Sequence, residues 1–322
     1  MGSFIIRRSF TGILIIFVAI FLNFMLIQLA PGDPISILSG QDSPSPEMEE
    51  ALREKYGLND SVGVQFLTYL RTLAGGDLGE SILSGRPVSE MIAERIGPTL
   101  MLTLTTAILA LLIGTLLGIY CARRPGSKLD NLLSGLSYLF DSMPSFWLGM
   151  MFILLFASWL GIFPTSGMVD LRANHSGIAY YIDVLHHMFL PATTLTLLSI
   201  PYFFRITRSS VIQVMSEDFV TTLRATGMSE GRIFNKYVLK NSILPTITVF
   251  GITIAYMITG VAIIEIVFSW PGMGSFMLNA ISRRDYPLLM GIYLVLSISV
   301  AVTMIVVDVL YAFIDPRIRY SK

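Results

Sequence analysis

Six stretches of the chain carry no acidic or basic side chain: residues 9–32, 96–122, 142–169, 188–204, 241–264 and 286–307. A helix of about 20 apolar residues crosses the ~30 Å hydrocarbon layer of a bilayer. Five stretches exceed that length. The fourth, Met188–Phe204, has seventeen residues and reaches it by borrowing His186 or Arg205 at its ends. Ten further uncharged residues, Asn131–Phe140, precede Asp141 and can lengthen the third element. The pattern predicts an all-α membrane protein with six transmembrane helices. The first stretch follows Arg7 and Arg8, as a secretory signal would. Its 24 uncharged residues exceed a 7–15-residue signal core, and Gln28-Leu29-Ala30 is a poor cleavage site, so it reads as a retained anchor over residues 1–30.

Between the first and second spans lies a helical insertion, residues 31–95. Pro31-Gly32-Asp33-Pro34 stops the first helix, because proline lacks the amide donor and disfavours helix just before it. "SPEMEEALREKYG" predicts a short helix with Ser45 as cap, Pro46 at its first position and Gly57 just past its end. A second short helix is expected over Val62–Leu73, ended by Gly75-Gly76. The rest divides into a core of five spans, residues 96–314, with a polar loop at 209–240, and a tail, residues 315–322.

Composition agrees with this. Hydrophobic residues make up 53% and charged residues 14%, against about 25% charged in a soluble domain. Mean hydropathy is +0.69. Cys121 is the only cysteine, which excludes an internal disulfide and any multi-cysteine metal site. Formal net charge is zero, so nothing draws the chain to nucleic acid. The distribution of charge sets orientation. With a cytoplasmic N-terminus, the inside segments (1–8, 121–130, 205–240, 315–322) hold 14 of the 22 Lys and Arg, whereas 33–95 has eleven acids against five bases. The positive-inside rule then places both termini in the cytoplasm.

One polar island, residues 217–240, separates the fourth and fifth hydrophobic stretches. Ser216 is read as the cap of a helix that opens on Glu217 and Asp218, two acids suited to its positive end. Phe219, Val220 and Leu223 give it an apolar face, and Gly227 suits the left-handed position that ends a helix. Ser229 can cap a second helix, with Arg232, Lys236 and Lys240 on one face and Ile233, Phe234, Tyr237 and Val238 on the other. Two readings follow from these residues: an interfacial connector whose basic face meets lipid headgroups, or a docking knob for a cytoplasmic partner.

The stretch "DFVTTLRATGMS" resembles the cytoplasmic EAA loop of ABC importer permeases in the peptide/nickel branch, which typically reads D-Y-V-R-T-A-R-A-K-G-L-S. Leu223 stands for Ala and Thr226 for Lys. "LAPGDP", "LREKYGL", "GDLGES", "FSWPGMG" and "DVLYAFIDPRIR" resemble the same branch, in order from residue 29 to 319. The resemblance implies a permease subunit of the bacterial or archaeal inner membrane. It also implies that Asp218, Phe219, Thr222, Leu223, Arg224, Ala225, Gly227, Met228 and Ser229 dock a cytoplasmic ATPase. The further partners it implies are a second permease and an extracytoplasmic binding protein, with the pathway between the two permeases. ATP and magnesium would sit on the ATPases. The chain has no G-x-x-x-x-G-K-[ST] with which to hold ATP itself.

Other residues are candidates for pathway or support. Glu265 lies in "MITGVAIIEIVFSWPG", where an acid in an apolar run is a functional suspect. The resembling pattern favours a structural or gating role, with Trp270, Pro271, Gly272, Gly274 and Met277. Pro271, Gly272 and Gly274 are expected to break the helix before a short re-entrant one. Asp33, Asp141, Asp308 and Asp315 are read as structural. A proton-driven carrier using Glu265 and Asp308, or a scaffold without transport, are the alternatives from other classes. His186 and His187 are adjacent and point about 100° apart on a helix, so no metal site is expected although nickel importers occur in the branch. No nucleophile–base set points to an enzyme. Peptides are the first substrate expected, nickel or a metallophore the second.

Overall fold

The computed structural model describes residues 2–28, 45–47, 50, 53, 59–173, 175–257 and 261–314. It is helical throughout, and the only β pairing among these residues is an isolated bridge between Glu80 and Pro87. Among the described residues five helices are long and apolar enough to cross a membrane, or six if one bent pair counts as a span. Of the predicted helix over 45–57, Pro46, Glu47, Glu50 and Arg53 are described and helical; its other residues after Ser45, the stop at Asp33 and Asp315 lie outside the described residues. Asp308 belongs to the last helix by its backbone, and its side chain is likewise outside. Compact packing divides the chain into two units, Met1–Gly97 with Gly272–Lys322, and Pro98–Pro271.

In the first unit, α1 (Gly2–Gln28) packs along α11 (Tyr286–Ile314). Gly12 permits the close approach: a Cβ there would lie 2.9 Å from Ile305 Cδ1. The expected second insertion helix is present as α2 (Val62–Ala74). Its Phe66 ring meets Phe17, Phe21 and Phe24 of α1 at 5.1–6.3 Å between centroids. Tyr69 stacks beside Phe24, and burial pushes its phenol up to about 12, so it stays neutral at physiological pH. A short helix, α10 (Met273–Ser282), packs on α11.

In the second unit, α3 (Val88–Ala122, from Pro98 onward) packs against α6 (Ile178–Met215). Gly114 and Gly118 form a G-x-x-x-G step. A Cβ on either would stand 2.8 Å from an α6 atom: Phe203 Cβ for Gly114, Phe204 O for Gly118. Small residues at this spacing let membrane helices approach backbone to backbone. One core gathers Leu102, Val184, Met188, Leu190, Ile264, Phe268 and Trp270. A second gathers Ala122, Val211, Val220, Ile233, Phe234 and Val238.

Two expectations about helix length are corrected. The fourth span is not the short Met188–Phe204 stretch. α6 runs 38 residues through Pro191 and Pro201, because helix geometry continues into charged sequence that hydropathy alone excludes. Nor do residues 131–140 continue the third stretch as one straight helix. They belong to α4 (Lys128–Ser142), which ends at Met143-Pro144, and the chain turns by 101° into α5 (Ser145–Phe152) and a following π turn, Ile153–Trp159. Pro144 forces the break, since it disfavours helix at the residue before it.

Two ion pairs tie α4 to α6. Asp130 and Asp141 sit eleven residues apart on α4, about 16 Å at 1.5 Å per residue. They pair with Arg208 (2.6 Å) and Arg205 (3.1 Å), only three residues apart on α6. Asp130 is the buried anchor: it takes Arg208 through two hydrogen bonds and also accepts the Gly126 amide.

Candidate functional site

The polar island folds as a helix, a glycine turn and a second helix, with one shift of register. Ser216 closes α6, its hydroxyl donating to the Gln213 carbonyl, and Glu217 is the N-cap residue of α7 (Asp218–Ala225). The expected Ser216 cap is therefore corrected: α6 extends to Met215 and uses Ser216 itself. Gly227 adopts φ +79°, the left-handed conformation expected of it. Its amide donates to Arg224 O and the next amide, Met228, to Leu223 O, so the last carbonyls of α7 are satisfied. Ser229 then occupies the N-cap position of α8 (Glu230–Ile254), but its backbone oxygen, not its side chain, takes the Arg232 and Ile233 amides. Across the turn Arg224 Nε donates to Glu230 Oε1 at 2.7 Å.

Which side chains face inward decides what the knob can do. Val220 is fully buried, and Leu223 and Met228 pack on the same core. Phe219 does not join them. It is 37% exposed, because it sits at the edge of the buried arc of a helix only eight residues long. Asp218, Thr222, Arg224, Ala225, Gly227 and Ser229 are exposed as well. The expected docking set thus splits: Leu223 and Met228, beside Val220, hold the knob on, and the other seven form an outward surface.

Beyond the turn, α8 carries a π turn at Phe234–Val238 that rotates the basic positions out of a strict four-residue repeat. The Arg123 guanidinium lies 4.1 Å over the Phe234 ring and donates to Asn235 Oδ1 at 3.0 Å, tying the end of α3 to α8.

Glu265 lies on the short α9 (Ala262–Val267), fully buried. Its carboxylate accepts from Thr99 Oγ1 at 3.0 Å, and its backbone oxygen from the Trp270 amide at 2.7 Å. Trp270 is buried in turn, its indole donating to the Pro98 carbonyl, one residue before Thr99. Glu265 and Trp270 therefore fasten α9 to the same turn of α3. Pro271 and Gly272 fall in the break that follows. Gly274 does not: it is buried in the first turn of α10. Met277, also on α10, is half-buried.

Two arrangements were not anticipated. Asp285, one residue before α11, is buried and accepts from Ser81 Oγ at 2.6 Å and from the Ile82 amide at 3.3 Å, so it anchors the loop of the "GDLGES" segment. Its position as an acid just before an apolar helix was the available signal. Asp141 was expected to be structural and pairs with Arg205, but the Asp130–Arg208 pair was missed, its partners being 78 residues apart. His186 meets Ile162 O, and His187 meets Asp183, so neither shares a site with the other. Among the described residues no three metal-ligating groups come together.

Comparison with known proteins decides the family. Residues 114–320 match the model of the binding-protein-dependent transport system inner membrane component, and residues 1–103 match the N-terminal model of such membrane components. The chain belongs to this permease family. The permease is 37% identical over 321 residues to the oligopeptide transport system permease protein AppB of Bacillus subtilis (strain 168), covering 99% of this chain and all of that one. It is 35% identical over 336 residues to the di/tripeptide transport system permease protein DppB of Pseudomonas aeruginosa (strain UCBPP-PA14), covering both chains fully. Its fold is similar to that of the MetNI methionine ABC transporter in inward-facing conformations. There the TM-score is 0.53 at 17% identity, over 70% of this permease and 97% of that chain.

Proposed function

We propose that this permease forms half of the translocation pathway of an ATP-driven importer for peptides, most simply di- or oligopeptides. The observation that carries the substrate class is its similarity from end to end to permeases of oligopeptide and di/tripeptide transport. A second, homologous permease completes the pathway, an extracytoplasmic binding protein delivers the substrate, and two cytoplasmic ATPase subunits or domains supply the energy with their own ATP and magnesium. Both termini face the cytoplasm, which puts the base-rich segment 205–240, within which α7 lies, on the ATPase side.

The α7–Gly227–α8 knob is the docking element. Its support is physical: α7 opens on an exposed aromatic, Phe219, and ends in a turn fixed by a left-handed glycine and the Arg224–Glu230 pair, on a base of buried Val220 and Ile233. A preformed knob loses little entropy on binding, and a rigid link passes ATPase movement into α6 and α8 as a switch between two states. The segment from Glu265 through Met277 serves the outer gate. Within it Glu265 acts by holding α9 to Thr99 rather than by carrying protons.

Gentle solubilisation of the tagged permease from native membranes, followed by mass spectrometry of what accompanies it, tests this reading. An ATPase with Walker motifs, a second permease and a secreted binding protein are expected. Recovery of the permease alone, active in uptake driven by a pH gradient, would replace it with the carrier.

A further inference from the structure

Where α4 crosses α6 a cleft of about 280 Å³ opens, lined by Ser134 and Tyr138 from α4 and by Phe204, Arg205, Arg208 and Ser209 among the residues of α6. This is below the ~300–1,000 Å³ of pockets that enclose a whole drug-sized ligand, and of a size for a headgroup. None of its lining residues is acidic. Of the carboxylates that pair with the arginines, Asp130 is 1% exposed, its oxygens taken by Arg208 and the Gly126 amide, and the half-exposed Asp141 is not among the lining residues. Arg208 spends Nε and Nη2 on Asp130, and Arg205 spends Nη2 on Asp141 and Nη1 on Ser137. Arg208 Nη1 and Arg205 Nε remain, with the hydroxyls of Tyr138 and Ser134, as donors at the cleft. Several N–H and O–H donors with no acid in the lining make a site for an oxyanion.

The surroundings specify the source of that anion. On the face of α4 turned away from Asp130 and Ser137, Leu129, Leu132, Leu136 and Leu139 are all exposed, between 38% and 58%. Their spacing of three and four residues makes one apolar stripe. The 101° turn sets α4 nearly at right angles to α5, so where α5 runs into a bilayer α4 lies along its surface. Arg123 and Arg124 precede it, Lys128 opens it, and together they give that end of the helix a positive charge. An amphipathic helix with a leucine stripe and a basic end is built to lie in an anionic membrane interface.

We propose that the Ser134–Tyr138–Arg205–Arg208 cleft binds the phosphate of an anionic phospholipid of the cytoplasmic leaflet, while α4 rests in the same leaflet through its leucine stripe. The bound lipid braces the α4–α6 crossing that Asp130 and Asp141 already tie. This rests on the cytoplasmic placement of α4 but not on the substrate of the importer, and its test reads lipid, not transport.

The test uses the full-length permease in nanodiscs, with a photoreactive phosphatidylglycerol or a photoreactive phosphatidylcholine as probe. Labelling with the phosphatidylglycerol is expected in peptides from α4 and from residues 204–209. It should fall by roughly 10-fold, the order of one lost charge-assisted hydrogen bond, in Ser209→Trp and Ser134→Phe, which fill the cleft and leave both ion pairs in place. Unlabelled phosphatidylglycerol should compete, and inorganic phosphate should not. Equal labelling by the two lipids, labelling indifferent to both substitutions, or competition by phosphate alone would each overturn the proposal. Crosslinks from Leu132 or Leu136 to a second permease in place of lipid would do so too.

Discussion

Substituting Gly227 separates a turn that must hold one shape from a connector that need not. A Cβ at 227 meets no atom within 4 Å, so crowding adds nothing and any penalty comes from the backbone at φ +79°. For an L-residue the left-handed conformation costs roughly 1–2 kcal/mol, less for Asn, whose side chain can bond locally, and most for a β-branched residue. One to two kcal/mol changes a two-state population by a factor of about 5–30. Gly227→Asn should thus keep uptake close to the parent, Gly227→Ala should lose about 5-fold, and Gly227→Val about 30-fold or more. The assay is labelled dipeptide uptake into proteoliposomes holding the complete transporter, beside the melting temperature of the solubilised permease. That temperature should move little, because the turn is exposed and its two closing hydrogen bonds are local. Parental uptake in Gly227→Val, or equal loss in all three variants, would refute the idea that the left-handed turn fixes the docking surface.

Other substitutions test the remaining supports. Phe219→Ala should leave stability within about 0.5 kcal/mol, as an exposed residue away from the core does, while lowering the amount of ATPase that copurifies. Gly118→Leu sets a side chain against the α6 backbone, where its Cβ alone would come within 2.8 Å of Phe204 O; overpacking of this kind costs ~1–3 kcal/mol or more, seen as a lower melting temperature. Asp285→Ala leaves the Ser81 hydroxyl buried without its acceptor, at about 1–3 kcal/mol, and hydrogen exchange across residues 79–87 should rise before it does elsewhere.

What the sequence announced was whatever depends on local order. Gly227 could be placed from the polar run around it, because a left-handed residue after an amphipathic turn has few alternatives to glycine. The apolar runs located the spans for the same reason, since one helix needs only its own residues to cross a bilayer. Their ends were harder. Ser216 and Glu217 compete for one boundary, and the length of α6 decides between them. The break at Pro144 was visible in the sequence, yet its 101° angle depends on how α4 packs on α6. Contacts between distant residues had no local trace: Asp130 with Arg208, and Ser81 with Asp285, are separated by 78 and 204 positions. The G-x-x-x-G step at Gly114 and Gly118 was legible and passed unread, because any apolar stretch of this composition holds many glycines and only the partner helix shows which pair is in contact.

The most direct test of the central claim is peptide uptake by proteoliposomes holding this permease with its partner permease, ATPases and binding protein, with ATP supplied on the ATPase side. Uptake of a labelled di- or oligopeptide should require both ATP and the loaded binding protein, and should persist when the pH gradient is collapsed. Uptake by the permease alone, driven by a proton gradient and abolished by Glu265→Gln, would contradict the account.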